Sequence, residues 1–442
     1  MRVLYVNHTS AISGGERSLL DLLGGLAGLV SPVVACPPGP LADAVRGLGV
    51  RWHGLPAINA SLRLHPLHTP AGLARLATGA AVVAHLAGRV GADLVHANSV
   101  RSGLIASFAS RLGAPPAIAH VRDCLPPGRV STLTLRAIAG QARDVLANSQ
   151  YTRAGVLRAI ATSDATVRVV YSPVDTARFD PDRFEPSEAR ARLGLPQTAP
   201  VLAVVGQMTP WKGQDDAVRI LGRVKHTRPD ARLLLVGSAT FAARATRYDN
   251  QAYLRFLHAL IESQGVRGEV VLLGERDDVP AVLRAVDLLL VPSWEEPFGR
   301  TVVEAMAMGV PVVATSVGGP AEIVRPGVDG LLLEPRRPAR WAEAIGPLLD
   351  EPDRLAQMGR SGRARVLEHF SLSAHVDAVL AVYRDVAARE GGRLLTRSRT
   401  GGRASCHDHD VLRHQMTTHN SRLHCQAELQ QRRDDLPDGE AY

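Results

Sequence analysis

The chain has 442 residues, 45% of them hydrophobic and 21% charged, which is too long for one average domain, suits two or three, and excludes wholesale disorder. Its net charge is +8 at pH 7, yet aromatics make up only 4%, and the 51 basic residues include just two lysines, Lys212 and Lys225; a stacking platform for single strands is excluded and no nucleic-acid partner is expected. The most apolar long stretch, Ala71 to Val90, is broken by Arg75, His85 and Arg89, so it falls short of the uninterrupted run of about 18 residues that reads as a membrane span.

The first residues enter a strand directly, Val3–Asn7, without a basic region followed by an apolar one, so no secretory signal is expected. Further short apolar runs predict strands at Val33–Cys36, Leu94–Ala97, Ala117–Val121, Val145–Asn148 and Val167–Tyr171. A second series follows at Val201–Val205, Leu233–Val236, Val270–Leu273, Leu288–Val291, Val312–Ala314 and Leu331–Leu333. These runs are apolar on both faces and separated by helical stretches, the pattern of parallel strands covered on each side by helices. The pattern occurs twice, which predicts two doubly wound α/β domains facing each other, with ligand bound where the strands' carboxyl ends meet the cleft.

Domain limits follow from the composition. Residues 1–175 form the first unit. Residues 176–200, charged and carrying Pro181, Pro186, Pro196 and Pro200, read as a linker with one short helix around Glu188–Leu193. Residues 201–370 form the second unit. A helix over about 371–390 opens at Ser371 and carries apolar Val376, Val379, Leu380 and Tyr383; it is expected to return to the first unit. The pattern stops at Gly391-Gly392, so 391–442 read as a disordered tail. That tail holds His407, His409, His414, His419 and His424 at irregular spacing, and Asp408-His409-Asp410 outside any strand end; no metal site is read from it. The cysteines Cys36, Cys124, Cys406 and Cys425 form no C-x-x-C pair, so a cytoplasmic setting is the default.

The charge excess is local. Residues 1–180 carry 17 basic and 9 acidic side chains, whereas residues 181–395 carry 27 of each and the remainder seven of each. A basic first unit suits an anionic lipid or acceptor, and a dispersed arginine surface set by composition accounts for it equally well. Leu62 to Val90 mixes apolar positions with Arg63, Arg75 and Arg89, the composition of a segment that lies on the inner face of a membrane.

The strongest local signal runs from Ser293 through Glu296-Pro297-Phe298-Gly299-Arg300-Thr301 to Glu304 and Gly309. It follows a strand and opens a helix. Glu296 falls on the loop and Glu304 one turn into the helix, so both point into one crevice, where carboxylates accept hydrogen bonds from the vicinal hydroxyls of a ribose or hexose. The helix N-terminus beside them suits a phosphate. Lys212 stands out because arginine is used almost everywhere else; a compact ammonium suits a phosphate oxygen.

This segment resembles the E-x7-E region of retaining glycosyltransferases of family 4, the glycosyl transferases group 1, which have the GT-B fold. Val205-Gly206-Gln207 to Lys212-Gly213 is similar to the loop that opens the family's second domain, and Ser13-Gly14-Gly15-Glu16-Arg17 to the first-domain loop that approaches the donor diphosphate. Segments around His96, His120, Asn148, Tyr171, Gly318-Gly319 and Gly330 fall in the family's order. The likeness covers residues 1–390. It implies an α/β GT-B fold, two facing Rossmann-like domains with a deep cleft, and transfer of a hexosyl group from a nucleoside diphosphate to an acceptor hydroxyl on a glycan or lipid, with no metal or other cofactor in the chemistry.

The resemblance also implies roles. His120, Lys212 and Glu296 act at the reacting centre, His120 and Glu296 on sugar hydroxyls and Lys212 on the departing phosphate, where fixed positive charge lowers the barrier. Gly14, Gly15, Gln207, Phe298, Gly299, Arg300, Thr301 and Glu304 surround the donor, with Glu304 on the ribose and residues 274–279 around the base. Gln207 replaces an arginine usual in the family, which leaves part of its task to Arg300. Glu16, Asn98 and Arg122 face the acceptor, and Glu322 supports the neighbouring loop. A nucleotide-sugar epimerase or a non-catalytic binding protein would keep the same fold, and stoichiometric release of nucleoside diphosphate on transfer separates them.

Overall fold

The apolar runs become two all-parallel sheets in a computed structural model that describes residues 1–57, 69–160, 166–239 and 248–399. The first sheet contains β1 (Arg2–Val6), β2 (Ser31–Cys36), β3 (Arg51–Gly54), β4 (Leu94–Ala97), β5 (Ala117–Val121), β6 (Asp144–Ala147) and β7 (Thr166–Val169), in the order β3-β2-β1-β4-β5-β6-β7. The second contains β8 (Val201–Val205), β9 (Arg232–Val236), β10 (Val270–Gly274), β11 (Leu288–Val291), β12 (Val312–Thr315) and β13 (Gly330–Leu333), in the order β10-β9-β8-β11-β12-β13. The strand order reverses between β1 and β4 and between β8 and β11, so each sheet opens a crevice at the carboxyl ends of those strands. β3 is absent from the sequence reading. Its four residues, Arg51-Trp52-His53-Gly54, are half-exposed at the sheet edge and offer no apolar run.

Both faces of each sheet are buried by helices. In the first half Leu76, Val83, Leu86 and Ala87 of the helix Thr69–Val90 pack on one face, and Leu19, Leu22 and Leu23 of the helix Gly14–Gly25 pack on the other. For the described part, Thr69–Val90, this corrects the reading of Leu62–Val90 as a membrane-surface segment. The helix spends its apolar stripe on the core and leaves Arg75 and Arg89 exposed, while Arg63 lies outside the described residues. Among the described residues no helix is long and apolar enough to cross a membrane.

Residues 176–200 are docked onto the second half rather than strung between the two. Phe179, Ala189 and Leu195 join the core beneath β8 and β11. The helix Pro186–Arg192 is held by Arg190, which donates to the carbonyls of Gln197 (2.6 Å) and Ala199 (3.1 Å) and to Asp287 (2.6 Å). Pro181 and Pro186 mark helix starts, where a missing N–H costs nothing.

The last helix, Leu372–Arg399, starts at Ser371, whose hydroxyl accepts from the Ala374 N–H at 3.3 Å. Val376, Val379, Leu380 and Tyr383 are buried against Tyr5, Leu19 and Leu22 of the first half. The helix continues past Gly391-Gly392 to Arg399, so the boundary expected at 391 lies too early; two glycines weaken a helix without ending it when its preceding turns are anchored. The histidine-rich segment lies outside the described residues.

Beneath the first sheet's carboxyl edge this helix closes a buried polar cluster. The hydroxyl of Tyr383 meets that of Tyr5 at 2.9 Å and His96 Nδ1 at 2.6 Å, and His375 Nδ1 donates to the Tyr171 carbonyl at 2.7 Å. His120 stacks between His96 and His375, with ring centroids 5.7 and 6.5 Å away. Burial, and then the charge of Arg122, holds His96 and His375 down to about 3 and His120 well below the ordinary 6.5. These imidazoles are neutral in the fold and become charged on unfolding below 6.5. The unfolded chain therefore binds more protons there, and stability falls as the pH falls. Linkage gives roughly 2 kcal/mol at pH 5 for each of His96 and His375. Calorimetry from pH 8 to pH 4 should show a level melting temperature down to about 7 and a progressive fall below 6.5; a level profile to pH 4 would contradict neutral burial.

Candidate active site

The two crevices face one another across a cleft of about 1110 Å³. Its walls come from the loops after β1, β4, β5 and β6 on one side and after β8, β9, β10 and β11 on the other. Gly14, Gly15, Glu16, Asn98 and Arg122 border it from the first half, and Gln207, Lys212, Glu296, Phe298, Gly299, Arg300, Thr301 and Glu304 from the second. Glu275, Arg276 and Val279 also line it, in the stretch expected to meet a base.

At the centre of the second wall Lys212 Nζ lies 2.6 Å from Glu296 Oε2. The same carboxylate oxygen accepts from Ser293 Oγ at 3.0 Å. Lys212 ends the turn Pro210–Lys212, with its ammonium 4.3 Å from the Trp211 ring centroid. The turn is pinned because the Trp294 N–H donates to the Trp211 carbonyl at 2.8 Å and Gln214 Nε2 to the Gln207 carbonyl at 2.7 Å. Gly213 follows at φ 72°, where a Cβ would strike the Pro292 carbonyl, so glycine is required for the turn to sit against the next strand's end. Gly318 does the same for Glu296: at φ 107° its Cβ would strike the Glu296 carbonyl.

The helix Arg300–Ala307 begins at Gly299. Its first side chain, Arg300, is already engaged. The guanidinium donates to Ser18 Oγ (2.6 Å) and Asp21 Oδ2 (3.2 Å) in the first half and to Glu304 Oε1 (3.2 Å) in its own helix. Burial pushes the Asp21 carboxyl up despite Arg300. Phe298 is 2% exposed, and its ring packs between Tyr171 and Phe370, 6.0 Å from each, while the residue still borders the cleft.

In the first wall Gly14, Gly15 and Glu16 line the cleft as expected, and His120 does not. Gly14 and Gly15 are the opening residues of a helix with ordinary φ, and Cβ atoms there would only touch Arg300 and Arg122 at 3.6 and 3.5 Å. Glu16 is spent on a capping box, accepting from Ser13 N (3.1 Å), Ser13 Oγ (2.5 Å) and Asn7 Nδ2 (3.2 Å). His120 is fully buried in the histidine cluster and is not among the cleft's lining residues, because the strand places it one residue short of the edge and Arg122, further along, takes the cleft position. Asn98 spans the wall, donating to Asn7 Oδ1 (3.1 Å) and Gly15 O (3.2 Å) and accepting from Arg122 Nε (3.2 Å).

Sequence reasoning does not find the contacts that join the two walls. Glu322 accepts the N–H groups of Gln150 (2.8 Å) and Tyr151 (2.7 Å), capping a helix of the opposite half rather than its own loop. Ser149 Oγ donates to the Pro297 carbonyl at 2.6 Å, and Tyr151 OH to Glu295 at 2.7 Å. Asp21 sits in plain helical sequence, and Tyr151 lies just past the segment around Asn148 without being singled out by it.

A family model for glycosyltransferase family 4 matches residues 12–178, and one for glycosyl transferases group 1 matches residues 186–365. A D-inositol 3-phosphate glycosyltransferase of Segniliparus rotundus is 33% identical over 68% of this chain and 68% of its own. The chain belongs to the group 1 glycosyltransferases. A relative of the same activity from Catenulispora acidiphila is 34% identical over 68% of this chain and 73% of its own. Among solved structures, Anabaena Alr3699/HepE in complex with UDP and glucose superposes with a TM-score of 0.74 at 25% identity, covering 87% of this chain and 99% of that one. Sucrose-phosphate synthase of Thermosynechococcus elongatus shares the fold, with a TM-score of 0.72 at 21% identity over 88% and 99%. The GT-B fold and glycosyltransferase activity are therefore those of this group.

Glu322→Gln weakens a carboxylate cap on two backbone donors that join the halves. It should lower unfolding free energy by about 1 kcal/mol, read by chemical denaturation; an unchanged midpoint would show that the clasp carries no stability.

Proposed function

We propose that this glycosyltransferase moves a hexosyl group from a UDP-hexose to an acceptor hydroxyl, with retention at the anomeric carbon. The observation that carries the reading is the Lys212–Glu296 pair at 2.6 Å in the cleft wall, beside the N-terminus of the helix Arg300–Ala307. One member of the pair suits a phosphate and the other a polyol. HepE, bound to UDP and glucose in a closely similar fold, supports UDP as the nucleotide, and the names of the curated relatives make D-inositol 3-phosphate the first acceptor to test.

In this reading the diphosphate approaches Lys212 and the free N–H groups of that helix, which stabilise charge as it develops on the departing oxygen. The bond between the anomeric carbon and the β-phosphate oxygen breaks, the acceptor oxygen bonds the same face of that carbon, and the acceptor's proton passes to the departing phosphate. Glu296 orients a sugar hydroxyl and Glu304 the ribose. Gln207 adds a neutral donor, so the second positive charge falls to Arg300, which must be shared with Asp21 and Glu304. The glycan or lipid nature of the natural acceptor and a membrane contact of the first half belong to the same proposal, supported by the charge excess of residues 1–180 alone.

The test is incubation with UDP-glucose and D-inositol 3-phosphate, following UDP release and the anomeric coupling constant of the product. Stoichiometric UDP with an α-linked product is expected, whereas epimerised UDP-sugar without transfer would overturn the reading. Lys212→Ala and Glu296→Ala should each reduce turnover at least about a hundredfold; wild-type rates in both would sink the mechanism.

A further inference from the structure

Two residues that line the cleft from the first wall, Arg122 and Asn148, each carry a buried polar atom without a protein partner among the described residues, Arg122 Nη2 and Asn148 Oδ1. Arg122 is 7% exposed and Asn148 4%. Such groups are costly to leave unpaired. They are also of opposite character, one a donor and one an acceptor.

Their positions are coupled. β5 and β6 pair Val121 with Ala147, so Arg122 and Asn148 stand side by side as the next residues of neighbouring strands, about 5 Å apart in the backbone. Arg122 Nε is held by Asn98 Oδ1 at 3.2 Å and Nη1 by Ser172 Oγ at 3.5 Å, which leaves Nη2 as the guanidinium nitrogen without a partner among the described residues. Asn148 Nδ2 donates to the Arg122 carbonyl at 3.1 Å. That bond fixes which way the amide faces, so Oδ1 cannot turn away to offer an N–H instead. Next to Asn148, Ser149 is bonded to the Pro297 carbonyl, so the pair lies at the seam beside the loop that carries Glu296.

One group satisfies both atoms: a hydroxyl, which accepts from Arg122 and donates to Asn148. A carboxylate would suit Arg122 but would meet the fixed lone pairs of Asn148 Oδ1. Arg300 adds positive charge beside Arg122, and Glu16, Asp123 and Asp21 offset part of it, so the selection against a carboxylate rests on Asn148 Oδ1. We propose that Arg122 and Asn148 form a hydroxyl-reading site for the transferred hexose, which selects a neutral sugar over a uronic acid. The inference rests on the UDP-hexose reading. It moves Arg122 from the acceptor to the donor sugar and gives the wall a specificity residue, Asn148, that the sequence did not single out for a role.

The experiment is titration calorimetry of the full chain with UDP, UDP-glucose and UDP-glucuronate. Wild type should bind UDP-glucose at least about tenfold more tightly than UDP-glucuronate. Asn148→Ala should weaken UDP-glucose about tenfold while UDP affinity stays within about twofold, the retained UDP binding certifying the fold. Arg122→Met serves as the second variant with the same expected pattern. Unchanged UDP-glucose affinity in either variant that still binds UDP overturns the site alone. If wild type binds neither UDP nor UDP-glucose, the donor reading fails and takes this site with it.

Discussion

The arrangement of the second half turns on one ion pair. Lys212 and Glu296 come from loops 84 positions apart and meet at 2.6 Å, and most of the unusual local sequence serves to bring them there. Gly213 lets the lysine turn lie against Pro292, Gly318 lets a neighbouring loop pass the Glu296 backbone, and Ser293 fixes the carboxylate. In a mostly buried pair each charge compensates the other, so neither group is held at the cost of an isolated buried charge. In the proposed reaction the incoming substrate substitutes for each partner in turn: a phosphate replaces the carboxylate at Lys212, and hydroxyls replace the ammonium at Glu296. In that reaction the resting contact is a placeholder for the ligand.

The first half supplies the opposite wall by different means. Its strand ends carry amides, hydroxyls and one guanidinium, cross-bonded from Asn7 through Asn98 to Arg122. Below them the helix Leu372–Arg399 seals three neutral histidines and two tyrosines into the floor. The final helix therefore does more than complete a core: by covering His120 it places Arg122, not the histidine, at the surface of the cleft. The halves are joined at the rim by Glu322 with Gln150 and Tyr151, and by Arg300 with Ser18 and Asp21. Arg300 itself lines the cleft, so one of the two joins lies within the candidate site.

The doubly wound architecture was legible because parallel strands buried on both faces are nearly continuous apolar runs, and each half contained its series. β3 escaped because an edge strand need not be apolar. That the loops after β8 and β11 line the cleft was legible, since Gly213 and Gly318 are required by local backbone geometry and a rare lysine and paired glutamates stand out in the sequence. The first wall was not. Whether His120 or Arg122 reaches the cleft depends on where a strand ends relative to a helix some 250 positions later, and Glu16 looks the same in sequence whether it binds a ligand or caps its own helix. Asp21, Tyr151 and Glu322 act across the seam, where partners distant in sequence decide the role.

The mechanism stands or falls on whether Lys212 meets the terminal phosphate of a nucleoside diphosphate in this cleft. Phosphorus NMR of UDP, recorded at saturation with wild type and with Lys212→Met, observes that contact itself. The β-phosphorus resonance should move on binding to wild type, and in the variant this displacement should be largely lost while that of the α-phosphorus persists. An equal β-phosphorus displacement in both proteins would refute the contact.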